Sequence, residues 1–237
     1  MMSPRYIERP TADLADADVS VWLPYGLTHT AVVRAINDMY AYLHAINRAS
    51  IDHGYERLDD FMQKAAFSGL LSDLSVRSIA RETEVEGAAP GLRANLHHNG
   101  RPDLVPRGAY IGDAVLHGDE GIEVKASRAL SGWQGHNIEA GYLMVVQFTP
   151  DLLTQPVYER APTTITRVMV ALLDESDWSF SGRGENSRRT ATASVRPSGY
   201  AKLVANAVYV RGRATGSPPP LPSLTAPPEP PEPDGPG

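Results

Sequence analysis

The chain has 237 residues, 42% of them hydrophobic and 21% charged, which is ordinary for a globular protein and enough to bury one sizeable core. It has no cysteine, which excludes a disulfide framework and a thiolate zinc site and leaves carboxylates, carbonyls and histidines to hold any metal. The formal net charge of -6 excludes a uniformly basic DNA-coating protein, although a local patch can still dominate at one site. No run approaches the ~18 consecutive apolar residues that would span a bilayer, and the first residues lack the apolar stretch of a secretory signal, so a cytoplasmic protein with no membrane association is expected.

In chain order, the first strong pattern begins at Thr28. Val32, Val33, Ile36, Met39, Tyr40, Leu43 and Ile46 recur at three- and four-residue steps, which predicts an amphipathic helix that Gly54 stops. A second helical region is predicted from Glu56 through Phe61, Met62, Ala65 and Ala66. Gly69 is expected to interrupt it before Leu70, Leu74, Ile79 and Ala80 carry the pattern towards Glu84, and 87–91 reads as a connection. After Asn99-Gly100 the period changes. Tyr110–Leu116 and Gly121–Ala126 read as paired strands joined by a turn at 117–120. Tyr142–Phe148 is an apolar run suited to a sheet centre, and Thr164–Leu173 and Leu203–Val210 are further strands. The expectation is an α/β protein, with α+β open, in which helices flank a central mixed β-sheet. One domain over 1–215 is expected, helical over about 28–86 and with its sheet over about 100–215. Residues 216–237, rich in proline, read as a disordered tail of extended polyproline character.

The chemistry concentrates around Glu123. Side chains alternate along a strand, so Ile122 and Val124 share one face of this segment while Glu123 and Lys125 share the other. Asp103 adds a carboxylate twenty positions upstream (123 − 103), within reach of a hairpin. Two carboxylates beside a lysine suit phosphodiester hydrolysis. Mg²⁺, for which Mn²⁺ can substitute, takes one or two protein carboxylates and leaves its other positions to water and phosphate. Asp103 and Glu123, with the Val124 carbonyl, are the expected ligands, and Lys125 the residue that orients or helps deprotonate the attacking water and offsets developing charge. Asp113, ten positions before Glu123, is the rival first carboxylate.

Pro102-Asp103 followed by Glu123-Val124-Lys125 resembles the signature of the PD-(D/E)XK nuclease superfamily, and roughly Gly100 to Phe148 is similar to type II restriction endonucleases. The resemblance implies a restriction-endonuclease-like core and Mg²⁺-dependent, sequence-specific cleavage of double-stranded DNA to 5′-phosphate and 3′-hydroxyl ends. It also implies a homodimer and a cognate DNA methyltransferase in the same cell. Related nucleases often take a further acidic residue from a preceding helix, which points to Glu82 or Glu84. A repair, recombination or phage-defence nuclease of the same superfamily, and a catalytically silent DNA-binding protein, stay open as alternatives.

For DNA contact the sequence offers two regions. Gln134, His136 and Asn137 lie in a glycine-punctuated loop after Lys125, which a tight turn explains equally well. Arg183, Arg188, Arg189 and Arg196, with Lys202, Arg211 and Arg213, form a basic segment opposed within it by Glu185 alone, as phosphate neutralisation requires. His97-His98 has no second histidine pair at metal spacing and reads as a loop. Trp22, Trp133 and Trp178 read as packing residues.

Overall fold

The computed structural model describes residues 4–129, 133–135, 140–181 and 192–216. The first long helix, α1 (His29–Asp52), begins where expected: Thr28 Oγ1 accepts from the Ala31 amide at 3.0 Å, and Gly54 follows the helix end with φ 82°. Its periodic residues Val32, Val33, Ile36, Met39, Tyr40 and Leu43 are all buried. The second helical region divides earlier than expected. A single turn, α2 (Leu58–Phe61), is followed by extended backbone at Met62 and Gln63, and α3 (Lys64–Val85) then runs unbroken through Gly69. A Cβ on Gly69 would meet nothing within 4 Å, so the residue costs the helix about 1 kcal/mol of propensity without forcing a break.

A six-stranded mixed sheet carries the rest of the core. Its strands are β1 (Leu92–Ala94), β2 (Leu104–Pro106), β3 (Ile122–Ser127), β5 (Gly141–Thr149), β6 (Thr164–Leu173) and β9 (Ala207–Val210), side by side in that order. β3 and β5 are parallel, and every other neighbouring pair is antiparallel. The β5 and β6 segments match the expected strands, and β5 lies inside the sheet. Two expectations fail. Tyr110–Leu116 is not the partner of β3: Gly112 and Asp113 take φ of 63° and 54°, which ends strand geometry, and Ile111–Asp113 forms a 3₁₀ turn with Ile111 exposed. The antiparallel partner of β3 is β2, through Leu104 opposite Ile122. Leu203–Val210 is not one strand either, because a helix α4 (Pro197–Ala205), opened by proline in its first turn, ends just before β9.

A second sheet, which the sequence pattern did not reveal, orders β4 (Gln134–Gly135), β8 (Thr192–Val195) and β7 (Trp178–Ser181). The two faces of the large sheet are covered differently. On one, α1 and α3 pack over Ile122, Val124, Met144, Val146, Val168 and Val170 in a continuous apolar cluster. On the other, the small sheet and α4 pack over Leu143, Val145, Met169 and Ala171, with Trp133 and Trp178 buried among them. Trp22 breaks the packing expectation, being 69% exposed. No helix among the described residues is long and apolar enough to cross a membrane.

Candidate active site

Gly121 sets the start of β3. Its φ is 139°, and a Cβ there would collide with the Leu104 carbonyl and the Pro102 ring, so only glycine lets the two segments close. Its amide donates to Tyr25 Oη at 3.0 Å, which ties the strand entry to the N-terminal segment. From there the alternation puts Ile122 and Val124, almost fully buried, into the helix-covered cluster. Glu123 and Lys125 turn to the other face, at the register positions of Leu143 and Val145 on β5. Those two β5 residues lie beneath the small sheet, whereas Glu123 lines a pocket beside it.

The β2–β3 ladder is one residue pair long. Past it, side chains replace the missing strand. Asp103 Oδ2 accepts from the Val124 amide at 2.8 Å, and Ser72 Oγ on α3 accepts from the Ala126 amide at 2.7 Å. Because the N–H and C=O of one strand residue point to the same side, the Val124 carbonyl lies on the edge that Asp103 occupies. Asn95 holds Asp103 there. Its amide donates to the Asp103 carbonyl at 2.8 Å, and its Nδ2 donates to the carbonyls of Pro102 and Val115 at 3.0 and 2.8 Å.

Lys125 Nζ donates to Glu123 Oε1. The side chains are 31% and 10% exposed respectively, so the ammonium reaches solvent while the carboxylate is largely withdrawn from it. Glu123 Oε2 is buried with no hydrogen-bond partner among the described residues. Asp103 thus meets the Val124 backbone, and Lys125 meets Glu123 on the adjoining strand positions. Of these, Glu123 lines a pocket of about 360 Å³. Its lining also includes Arg101, His117, Asp119, Tyr142, Glu175 and Trp178. A parallel bridge between Arg101 and His117 joins the segment before Asp103 to the one before Gly121. These wall residues were missed in the sequence, although Arg101 adjoins Pro102-Asp103 and His117 sits in the stretch first read as a turn.

The other acidic candidates are elsewhere. Glu82 is buried on α3 and accepts from Arg81, which also pairs with Asp38. Glu84 is gripped by Arg93 through both guanidinium nitrogens, which holds its carboxyl below the usual range. Asp113 Oδ1 caps the Gly108 amide at 3.1 Å. Among the described residues no group of three or more His, Cys, Asp or Glu gathers in a way that could hold a metal ion.

Of the DNA-contact candidates, His136, Asn137, Arg183, Arg188 and Arg189 lie outside the described residues, and of Gln134 only its backbone place in β4, opposite Ser194, is described. Arg196 precedes α4, exposed, its amide donating to the Asp177 carbonyl at 2.7 Å. The rest of the basic segment meets acids from other elements: Lys202 pairs with Asp174 and Asp177, and Arg213 with Asp18. Arg211 donates to the Thr11 carbonyl at 2.8 Å. His97 and His98 are exposed in a loop, as expected. Comparison of the chain with protein-family models, with curated proteins and with solved structures returned no match.

Proposed function

We propose that this chain is a DNA endonuclease that hydrolyses phosphodiester bonds with Asp103, Glu123 and Lys125, using Mg²⁺ or Mn²⁺. The observation that carries the proposal is Glu123 Oε2. A buried polar atom left without a partner costs about 1–3 kcal/mol, more when it is charged, and a cation in the adjoining pocket would remove that cost. The donor set is hard oxygen throughout: Glu123, Asp103 and the Val124 carbonyl would hold the ion, which suits a metal that takes one or two protein carboxylates. Bound there, the cation would supply Lewis acidity towards a phosphate oxygen and a water of lowered pKa.

The chain's own groups divide the remaining work. The Lys125 ammonium, tethered by Glu123 Oε1 and reaching solvent, is positioned to orient a nucleophilic water and to offset charge that develops on the phosphate. Arg101 and His117, which also line the pocket beside Glu123, are suited to a phosphate oxygen. Asp103 keeps Val124 in place through its amide. The finer parts of the proposal are a restriction-endonuclease-like core, sequence-specific cutting of duplex DNA to 5′-phosphate and 3′-hydroxyl ends, a homodimer, and a cognate methyltransferase in the cell. They draw support from the signature-like spacing of Pro102-Asp103 and Glu123-Val124-Lys125 and from a mixed sheet in which an antiparallel β1–β2–β3 run leads into a parallel β3–β5 pair. Incubating the full chain with plasmid DNA in Mg²⁺, in Mn²⁺ and in EDTA tests it. Discrete metal-dependent fragments are expected; DNA binding without cutting in either metal would leave a silent binding protein.

A further inference from the structure

The most exposed tryptophan of the described residues belongs to a built surface. Trp22 packs its ring 6.1 Å from that of Tyr142, and Tyr25 meets Tyr142 edge-on at 5.8 Å. Tyr25 is itself fixed by the Gly121 amide, so the cluster is held from below. Beside it runs a groove of about 270 Å³ lined by Trp22, Tyr142, Val170, Leu172, Lys202 and Asn206. Trp22 and Leu172 are 69% and 57% exposed, an apolar pair at the groove that nothing described covers.

We infer that this groove receives the chain's own proline-rich tail, residues 217–237. Aromatic-lined grooves bind polyproline segments because the ligand is already extended and loses little entropy on docking. The tail carries Pro218-Pro219-Pro220-Leu221-Pro222 after Gly216-Ser217, and with three residues per polyproline turn Pro219 and Pro222 share one face. The point of departure is close to the groove in sequence terms. The last described turn, Arg213–Thr215, is anchored by Ala214 N on Asp16 Oδ1 at 3.2 Å and by Arg213 on Asp18 at 2.7 Å, and Asp18 precedes Trp22 by four residues. This docking does not depend on nuclease activity. It has a consequence for the candidate site, because Tyr142 also lines the pocket next to Glu123.

Acrylamide quenching of tryptophan fluorescence in the full chain tests the inference. Trp133 and Trp178 are 4% and 3% exposed, so quenching reports on Trp22. Replacing Pro219 and Pro222 by serine should raise the quenching constant severalfold, and Trp22→Ala should abolish the difference between the two tails while increasing thermolysin cleavage at Leu221. Equal quenching with either tail would overturn the inference. Quenching protection that disappears on dilution would also overturn docking within one chain and assign the groove to the tail of a second copy.

Discussion

The two faces of the large sheet follow different rules, and β3 shows both at once. Towards α1 and α3, Ile122 and Val124 join an apolar cluster that runs without interruption from the N-terminal segment to β9. Towards the small sheet, cover extends over β5 and β6 and gives way to a pocket beside Glu123. A fully covered face rewards shape and hydrophobicity. A partly covered one can keep a carboxylate and an ammonium in a poorly screened setting with access for a substrate, where charges act more strongly than in water. The same alternation of side chains serves core and candidate site because the two covering layers are unequal.

The largest expected break in this comparison is on the polar face. Lys125→Ala should lower the rate of plasmid cleavage by about 10²–10⁴-fold, the range for loss of a proton-handling group, with the circular-dichroism spectrum of the folded chain retained. Cleavage at the parent rate would mean that this face is not the reacting one. On the covered face, Ile122→Ala should cost about 2–5 kcal/mol in urea unfolding, since the residue is fully buried. Asp103→Ala should cost about 1–3 kcal/mol by stranding the Val124 amide, a loss that Asp103→Asn, which keeps an acceptor oxygen, should largely avoid.

Glu123→Gln sharpens the contrast further. Activity should vanish, yet stability should hold or rise, because the amide removes the charge from a buried, unpartnered oxygen and the lost partner, Lys125, is partly exposed. The melting temperature of the parent chain should rise on adding Mg²⁺, and that of Glu123→Gln should not. An equal rise in both would place any bound cation elsewhere.

The smallest effect concerns how the layers are held. Lys202 ties α4 to Asp174 and Asp177 at the entry to β7, and hydrogen bonding from Ser176, then from Lys202, lowers the Asp174 carboxyl from 3.8 to about 2. A depressed carboxylate stabilises fully above its unfolded value and loses that contribution as pH falls through the folded one. The small layer should therefore loosen between pH 3.8 and about 2, read as a red shift of Trp133 and Trp178 emission, and Asp174→Asn should flatten that step.

Local signals in the sequence were strong where one element settled its own outcome. Thr28 and Gly54 bracket α1, Tyr142–Phe148 and Thr164–Leu173 form strands, and the alternation at 122–125 puts apolar and charged side chains on opposite faces as expected. Outcomes decided by distant partners were not legible. Whether Leu104 or the 110–116 segment pairs with β3 depends on positive φ at Gly112 and Asp113, which neighbouring apolar residues concealed. The small sheet joins β4 to strands more than forty residues later, so no window of sequence contains it. Within the site, Asp103 and Glu123 follow from spacing, whereas Arg101, His117 and Trp178 become neighbours only through folding. Glu82 and Glu84 looked available because Arg81 and Arg93 could not be assigned to them in advance.

The lone oxygen of Glu123 also says how this chain would drift. A carboxylate kept in a buried place with one oxygen unpartnered is held against the grain of folding, and selection for stability alone would soon replace it by glutamine or a hydrocarbon. Position 123 should accordingly be the first to change in any descendant relieved of its chemistry, while Ile122 and Val124 on the reverse side of the strand persist. Lineages that have kept the acid and lineages that have shed it could then be told apart at a single residue.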